Sequence, residues 1–144
     1  GGLANVALAT DGADIAFDAF RAAGLEPDAP LFFDRAVDVA GRVELAKFRT
    51  VRIPKTNMPV VGFFVCEHQT PQFVYRPEWA KHTNGARGIL GITVIAEQPM
   101  KWAGELEKYF GKGSTRRDGD GLVADTGTQP VRYLTRADYM VRYP

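Results

Sequence analysis

Apolar and polar positions change period several times along this chain. "LANVALAT", Leu3 to Thr10, is short and apolar and stops at Asp11-Gly12, which predicts a buried strand. From about Asp14 to Ala23 the spacing becomes helical: Ala16, Phe20 and Ala23 share one face, with Phe17 beside them. Asp11 or Asp14 supplies negative charge at the helix start, Gly24 suits the position after its end, and Pro27 prevents continuation. "PLFFDRAVDV", "GRVELAKFRTVRIP" and "PVVGFFVCEH" then read as extended segments. Turns at Ala40-Gly41-Arg42 and Lys55-Thr56-Asn57 join them. In the second segment Val43, Leu45, Phe48, Val51 and Ile53 alternate imperfectly, and a bulge near Lys47 would restore the phase.

The plan then repeats. "GILGITVIA", Gly88 to Ala96, predicts another short strand. Pro99 opens a helix with Trp102, Leu106, Tyr109 and Phe110 on one face, and Gly111 ends it. Extended pieces follow around Ser114 to Arg117, in "GLVADTG" and in "PVRYLTRADYMV", with a hairpin turn at Asp118-Gly119-Asp120-Gly121. "GLANVALAT" lies over "GILGITVIA" without a gap, which sets Asn5 opposite Gly91. The reading is α+β: two tandem βαβββ units, residues 1–68 and 88–144, linked by 69–87 and together forming one domain.

Composition narrows the function classes. The 144 residues suit one domain, and 45% hydrophobic with 24% charged is an ordinary globular balance. A net charge of +1 gives no electrostatic case for nucleic acid or a membrane surface. No apolar run approaches the ~20 residues of a membrane helix, and no signal peptide is visible. The single cysteine excludes an internal disulfide and fits a reducing, cytoplasmic setting. The start at Gly1-Gly2-Leu3, without methionine, leads us to expect further sequence upstream in a longer natural protein.

Candidate chemistry is concentrated between Phe63 and Gly88, which hold Cys66, His68, His82 and Trp79. Glu67 and His68 are adjacent in a strand, so they point to opposite faces. If Phe63 and Val65 face inward, Glu67 does; if Phe64 and Cys66 face inward, His68 does. Glu67, His68 and His82 form one candidate metal set; alternatively the two histidines bond to backbone and fix the long connection. A metal-free acid/base role is a third reading. Cys66 in an apolar strand reads as a buried structural thiol. Phe73, Tyr75 and Trp79 line a pocket or staple a loop. Arg76 partners an anionic ligand group or Glu78. Asn84-Gly85 marks a turn.

Paired βαβββ units resemble the vicinal oxygen chelate superfamily, which includes glyoxalase I, bleomycin-resistance proteins and extradiol dioxygenases. The run "GFFVCEHQTPQFVYRPEWAKHTNGARGILGITVIAEQP" is similar to the bacterial glyoxalase-like family: a phenylalanine-rich strand, Cys66-Glu67-His68, Pro71 to Trp79, then His82-Thr83-Asn84-Gly85-Ala86. "FDAFRAAGL", Phe17 to Leu25, resembles that family's helix in this region. The resemblance implies curved mixed sheets around a cup, and a divalent metal (Fe, Mn, Zn or Ni) held from first and last strands. The corresponding positions are Asn5, Gly91 (which offers no side chain) and Glu67, with Asp138, Thr135 or Tyr133 as alternative registers.

On this basis Glu67 and His68 are expected as catalytic residues, with Glu67, His68 and His82 as metal ligands. Phe64, Tyr75, Arg76, Trp79 and Asn84 are expected against a small-molecule ligand. The implied activity is of lyase, isomerase or dioxygenase type. The alternatives are a non-catalytic binding or sequestering module, and a structural half. The expected assembly is a homodimer, or packing against a related upstream segment.

Overall fold

β1 (Asn5–Ala9), α1 (Ala13–Ala22), β2 (Leu31–Val39), β3 (Arg42–Arg52) and β4 (Gly62–His68) follow one another in a computed structural model that describes residues 4–54 and 61–144. The turn expected at Lys55-Thr56-Asn57 lies outside the described residues. The four strands form a sheet in the order β1-β4-β3-β2. β1 runs parallel to β4, from Asn5 beside Gly62 to Ala9 beside Cys66; the other pairings are antiparallel.

Pairing and strand alternation sort the side chains onto two faces. Val6, Val51, Phe63 and Val65 are buried on the face that packs against α1, as are Ala13 and Phe20 of the helix. Asn5, Phe33, Phe48, Thr50, Arg52, Phe64 and His68 lie on the opposite face. Past the end of α1, the Gly24 N–H bonds to Arg21 O and the Leu25 N–H to Phe20 O. Gly24 takes a left-handed φ of 79°, and Leu25 and Phe20 are both buried. This reciprocal closure satisfies the last carbonyls of the helix, and glycine reaches that φ without a Cβ clash.

The β2–β3 register runs unbroken from Leu31 opposite Thr50 to Val39 opposite Arg42, so there is no bulge near Lys47. The alternation is imperfect because Phe48 faces away from α1, into the row with Phe33 and His68, while Val43, Leu45 and Val51 face toward it. Val43 and Leu45 stand on the α1 side of the sheet, yet the helix leaves them 76% and 46% exposed. The hairpin closes through Ala40-Gly41, both at positive φ, and the Gly41 N–H bonds to Asp38 Oδ1 at 2.9 Å. Residues 69–87 contain two short 3-10 turns, Pro71–Phe73 and Pro77–Ala80. They belong to the first unit: the Gln69 N–H reaches Lys47 O at 3.0 Å and the Lys47 N–H reaches Thr70 Oγ1 at 2.8 Å.

The second unit repeats the topology with shorter strands. β5 (Ile92–Ile95) covers only the C-terminal half of the predicted segment. A 3-10 turn at Pro99–Trp102 precedes α2 (Ala103–Phe110), then β6 (Thr115–Asp118), β7 (Gly121–Ala124) and β8 (Val131–Leu134). The sheet order is β5-β8-β7-β6, with β5 parallel to β8. Leu106 of α2 is fully buried, as are Leu122, Ala124, Val131 and Tyr133 of the sheet.

The strand expected to run on to Val141 stops at Leu134, and α3 (Arg136–Arg142) follows. Thr135 Oγ1 accepts the Asp138 N–H at 3.1 Å, a side-chain cap that stabilises the helix start by about 1 kcal/mol. Asp138 is therefore a helix residue and not a last-strand position. The paired registers align Phe63 with Val131, which makes Thr135 the counterpart of Glu67.

The fold is α+β, two βαβββ units each built on a four-stranded mixed sheet. Of the described residues, 4–54 with 62–88 form one compact unit and 61 with 89–144 the other. No described helix is long and apolar enough to cross a membrane.

Candidate functional site

Glu67 and His68 do leave β4 on opposite faces, and each is engaged differently. Glu67 turns toward α1. Its Oε2 accepts the Ala13 N–H at 2.9 Å and its Oε1 accepts from Gln69 Nε2 at 3.2 Å. Gly12 is the residue flanking the helix start and has no side chain to cap it. Glu67 supplies that cap from the neighbouring strand, where a carboxylate also meets the positive end of the helix dipole. Arg49, cross-strand from Glu67, makes two hydrogen bonds of 2.6 Å to Asp14 in the first helical turn. The Asp14 carboxylate holds the Arg49 guanidinium above its ordinary pKa.

His68 takes the other face and joins a row of rings. Phe33 stacks on Phe48 at 5.1 Å, Phe48 meets His68 edge-on at 5.1 Å, and Tyr75 lies 4.9 Å beyond. Tyr75 Oη and His68 Nε2 are 3.2 Å apart. This row ties Tyr75 of the connecting segment to the sheet, in addition to the bonds that Gln69 and Thr70 make with Lys47. Cys66 is buried, and burial followed by the charge of Glu67 pushes its thiol up, as expected of a structural cysteine.

The other predicted residues are occupied locally. Arg76 Nε donates to Glu78 Oε1 at 2.6 Å and its guanidinium lies 5.4 Å from the Trp79 ring centre. The Glu78 carboxyl is held down by its own backbone N–H and by Arg76. Asn84 Oδ1 accepts the Ala86 N–H at 3.1 Å, and the Gly85 N–H bonds to His82 O at 3.0 Å, closing the expected turn. His82 is exposed on that turn.

This donor set does not fit a metal. Glu67 is committed to a helix N-terminus on one face while His68 is on the other. Among the described residues no three His, Cys, Asp or Glu side chains come together as a metal site.

A groove of about 570 Å3 lies instead on the face of the first sheet away from α1. Leu31, Phe33 and Phe64 give it an apolar floor, and Asn5, Thr50, Asp28, Arg35 and Arg52 give it polar walls. Leu31, Phe33 and Arg35 are alternate residues of β2, and Thr50 and Arg52 alternate residues of β3, so the pleat aims all five one way. Neither Arg35 nor Arg52 forms an ion pair among the described residues; Arg35 lies 5.7 Å from the Phe33 ring centre. Of the residues expected against a ligand, Phe64 lines this groove, while Tyr75, Arg76, Trp79 and Asn84 do not. Arg35 and Arg52 had a visible signal, a basic residue in phase with apolar ones, but no motif marks them.

Two mixed βαβββ sheets define the vicinal oxygen chelate class of fold. The profile described as glyoxalase-like domain matches residues 1–110, and the chain belongs to that family. The match stops at the end of α2 and does not include α3. A protein of known structure, described as a hypothetical protein from Staphylococcus aureus, shares the fold with a TM-score of 0.66 and 12% identity over 91% of this chain. The chain spans 52% of that protein's length. No curated protein matches the sequence.

Proposed function

We propose that this glyoxalase-like chain is a small-molecule-binding module that holds an amphipathic carboxylate in the groove of its first unit, without a metal. The observation that carries this reading is the pairing of an apolar floor with two guanidinium groups that form no ion pair among the described residues. Leu31, Phe33 and Phe64 would take the apolar part of the ligand. Arg52 and Arg35 would take its carboxylate, for which the guanidinium fork is geometrically matched. Asp28 lowers the local positive charge and favours a monoanion over a polyanion.

Titration calorimetry with hexanoate, and with hexanamide as the neutral control, tests the reading. Saturable binding of hexanoate, weakened roughly tenfold in Arg52→Met and in Arg35→Met, is expected from loss of a charge-assisted pair. Equal affinity for hexanamide, or arginine variants that bind as well as the parent, would overturn it.

A further inference from the structure

The second unit carries a cavity lined by its own residues. It has a volume of about 630 Å3 and lies between β5, β8 and α3, on the sheet face opposite α2. Thr93 and Arg132 form its sheet side, and Tyr139, Arg142 and Tyr143 its helix side. Tyr143 is held in place by a 3.4 Å contact between its hydroxyl and that of Thr93, and its ring lies 5.1 Å from the Tyr139 ring.

The guanidinium groups here are not equivalent. Arg142 bonds to both Asp118 carboxylate oxygens, at 2.7 and 3.1 Å, and is neutralised. Arg132 is half-buried and makes no ion pair or side-chain hydrogen bond among the described residues. Asp118 acts on Arg132 only through space, its oxygens being bonded to Arg142, so the Arg132 guanidinium keeps its N–H donors for an arriving anion. Space for the guanidinium comes from Gly91: a Cβ there would stand 3.1 Å from Arg132 Nη1 and 3.0 Å from Pro130 O. Arg116, Arg132 and Arg142 all act on the Asp118 carboxylate, and Arg142 also feels Asp138.

We propose that this cavity is a second ligand site, selective for a small planar carboxylate of the benzoate type. Arg132 binds the carboxylate as a fork, and the Tyr139–Tyr143 pair supplies flat apolar surface for the ring. The cavity lies in the size range of small-molecule sites.

NMR titration of the whole chain with sodium benzoate tests the assignment, with benzamide and inorganic phosphate as controls. Saturable shifts centred on the amides of Thr93, Arg132 and Tyr139 are expected. They should weaken at least tenfold in Arg132→Met, weaken less in Arg132→Lys, and persist in Arg52→Met, which separates this site from the groove of the first unit. Circular dichroism of each variant verifies folding; if Arg132→Met is unfolded, the Arg132→Lys titration decides. Benzamide binding as tightly as benzoate, an unweakened folded Arg132 variant, or shifts confined to the first unit would overturn the proposal. Phosphate binding as tightly as benzoate would overturn the planar-ring selectivity.

Discussion

Glu67 accepts the backbone N–H of Ala13 at 2.9 Å, linking the end of β4 to the start of α1 across 54 positions of sequence. Sequence order had marked Glu67 as a metal ligand or catalytic base. Its position makes it a helix cap. Glu67→Ala should therefore lower stability by about 1 kcal/mol, with Glu67→Gln costing less because it keeps an acceptor oxygen. Urea unfolding measures both. Equal stability of parent and alanine variant would show that the cap contributes nothing.

Asp118 gives a pH prediction. Its hydrogen bond to Arg142 comes first, followed by the charges of Arg142, Arg116 and Arg132, and together they hold its carboxyl below the ordinary aspartate value. The folded state therefore binds this proton less tightly than the unfolded state does. The stabilisation is fully present above the unfolded value, roughly pH 4, and is lost as pH falls through the lower folded value. Asp118→Asn should reduce the unfolding midpoint at neutral pH and flatten its acid dependence. Parallel acid curves for parent and variant would contradict this.

Tyr133 is 1% exposed, and its hydroxyl has no hydrogen-bond partner among the described residues. Burial pushes the phenol's pKa up. Removing a buried unpaired hydroxyl while keeping the ring should be neutral or stabilising, by roughly 1 kcal/mol at most. Thermal unfolding of Tyr133→Phe measures this, and a clear loss of stability would reveal a hydroxyl contact.

Ala40 has a φ of 54°, left-handed backbone that alanine adopts at a cost. It occupies the first position of a two-residue hairpin turn whose second is Gly41. Asparagine is favoured there, so Ala40→Asn should stabilise the hairpin by about 0.5–1 kcal/mol. The check is the denaturation midpoint, which should rise without a change in slope.

The repeated architecture was legible because each unit announces itself through an apolar strand, a helix with one apolar face and a glycine stop at Gly24 or Gly111. The end of β8 was misread because "PVRYLTRADYMV" alternates like a strand. The overriding signal was Thr135-Arg136-Ala137-Asp138, a helix-start pattern in which a threonine precedes an acidic residue by three. The site was harder. Cys66-Glu67-His68 draw attention by residue type, yet Cys66 is buried, Glu67 caps α1 and His68 joins the aromatic row. Arg35 and Arg52 lie on separate strands, and only the pairing of β2 with β3 brings them to one groove. No linear motif encodes that juxtaposition.

The parallel β1–β4 pair also sets an order of events. β2 and β3 are joined by a two-residue turn and can meet through local contacts as soon as both exist. β1 precedes them in sequence but, among the described residues, pairs with β4 alone, at the far end of the unit. During synthesis, Val6 and Leu8 lack their strand partner until β4 emerges. The earliest residues of the unit are the last to be locked in place, so the period between making β1 and making β4 is when a nascent chain is most exposed to misassociation.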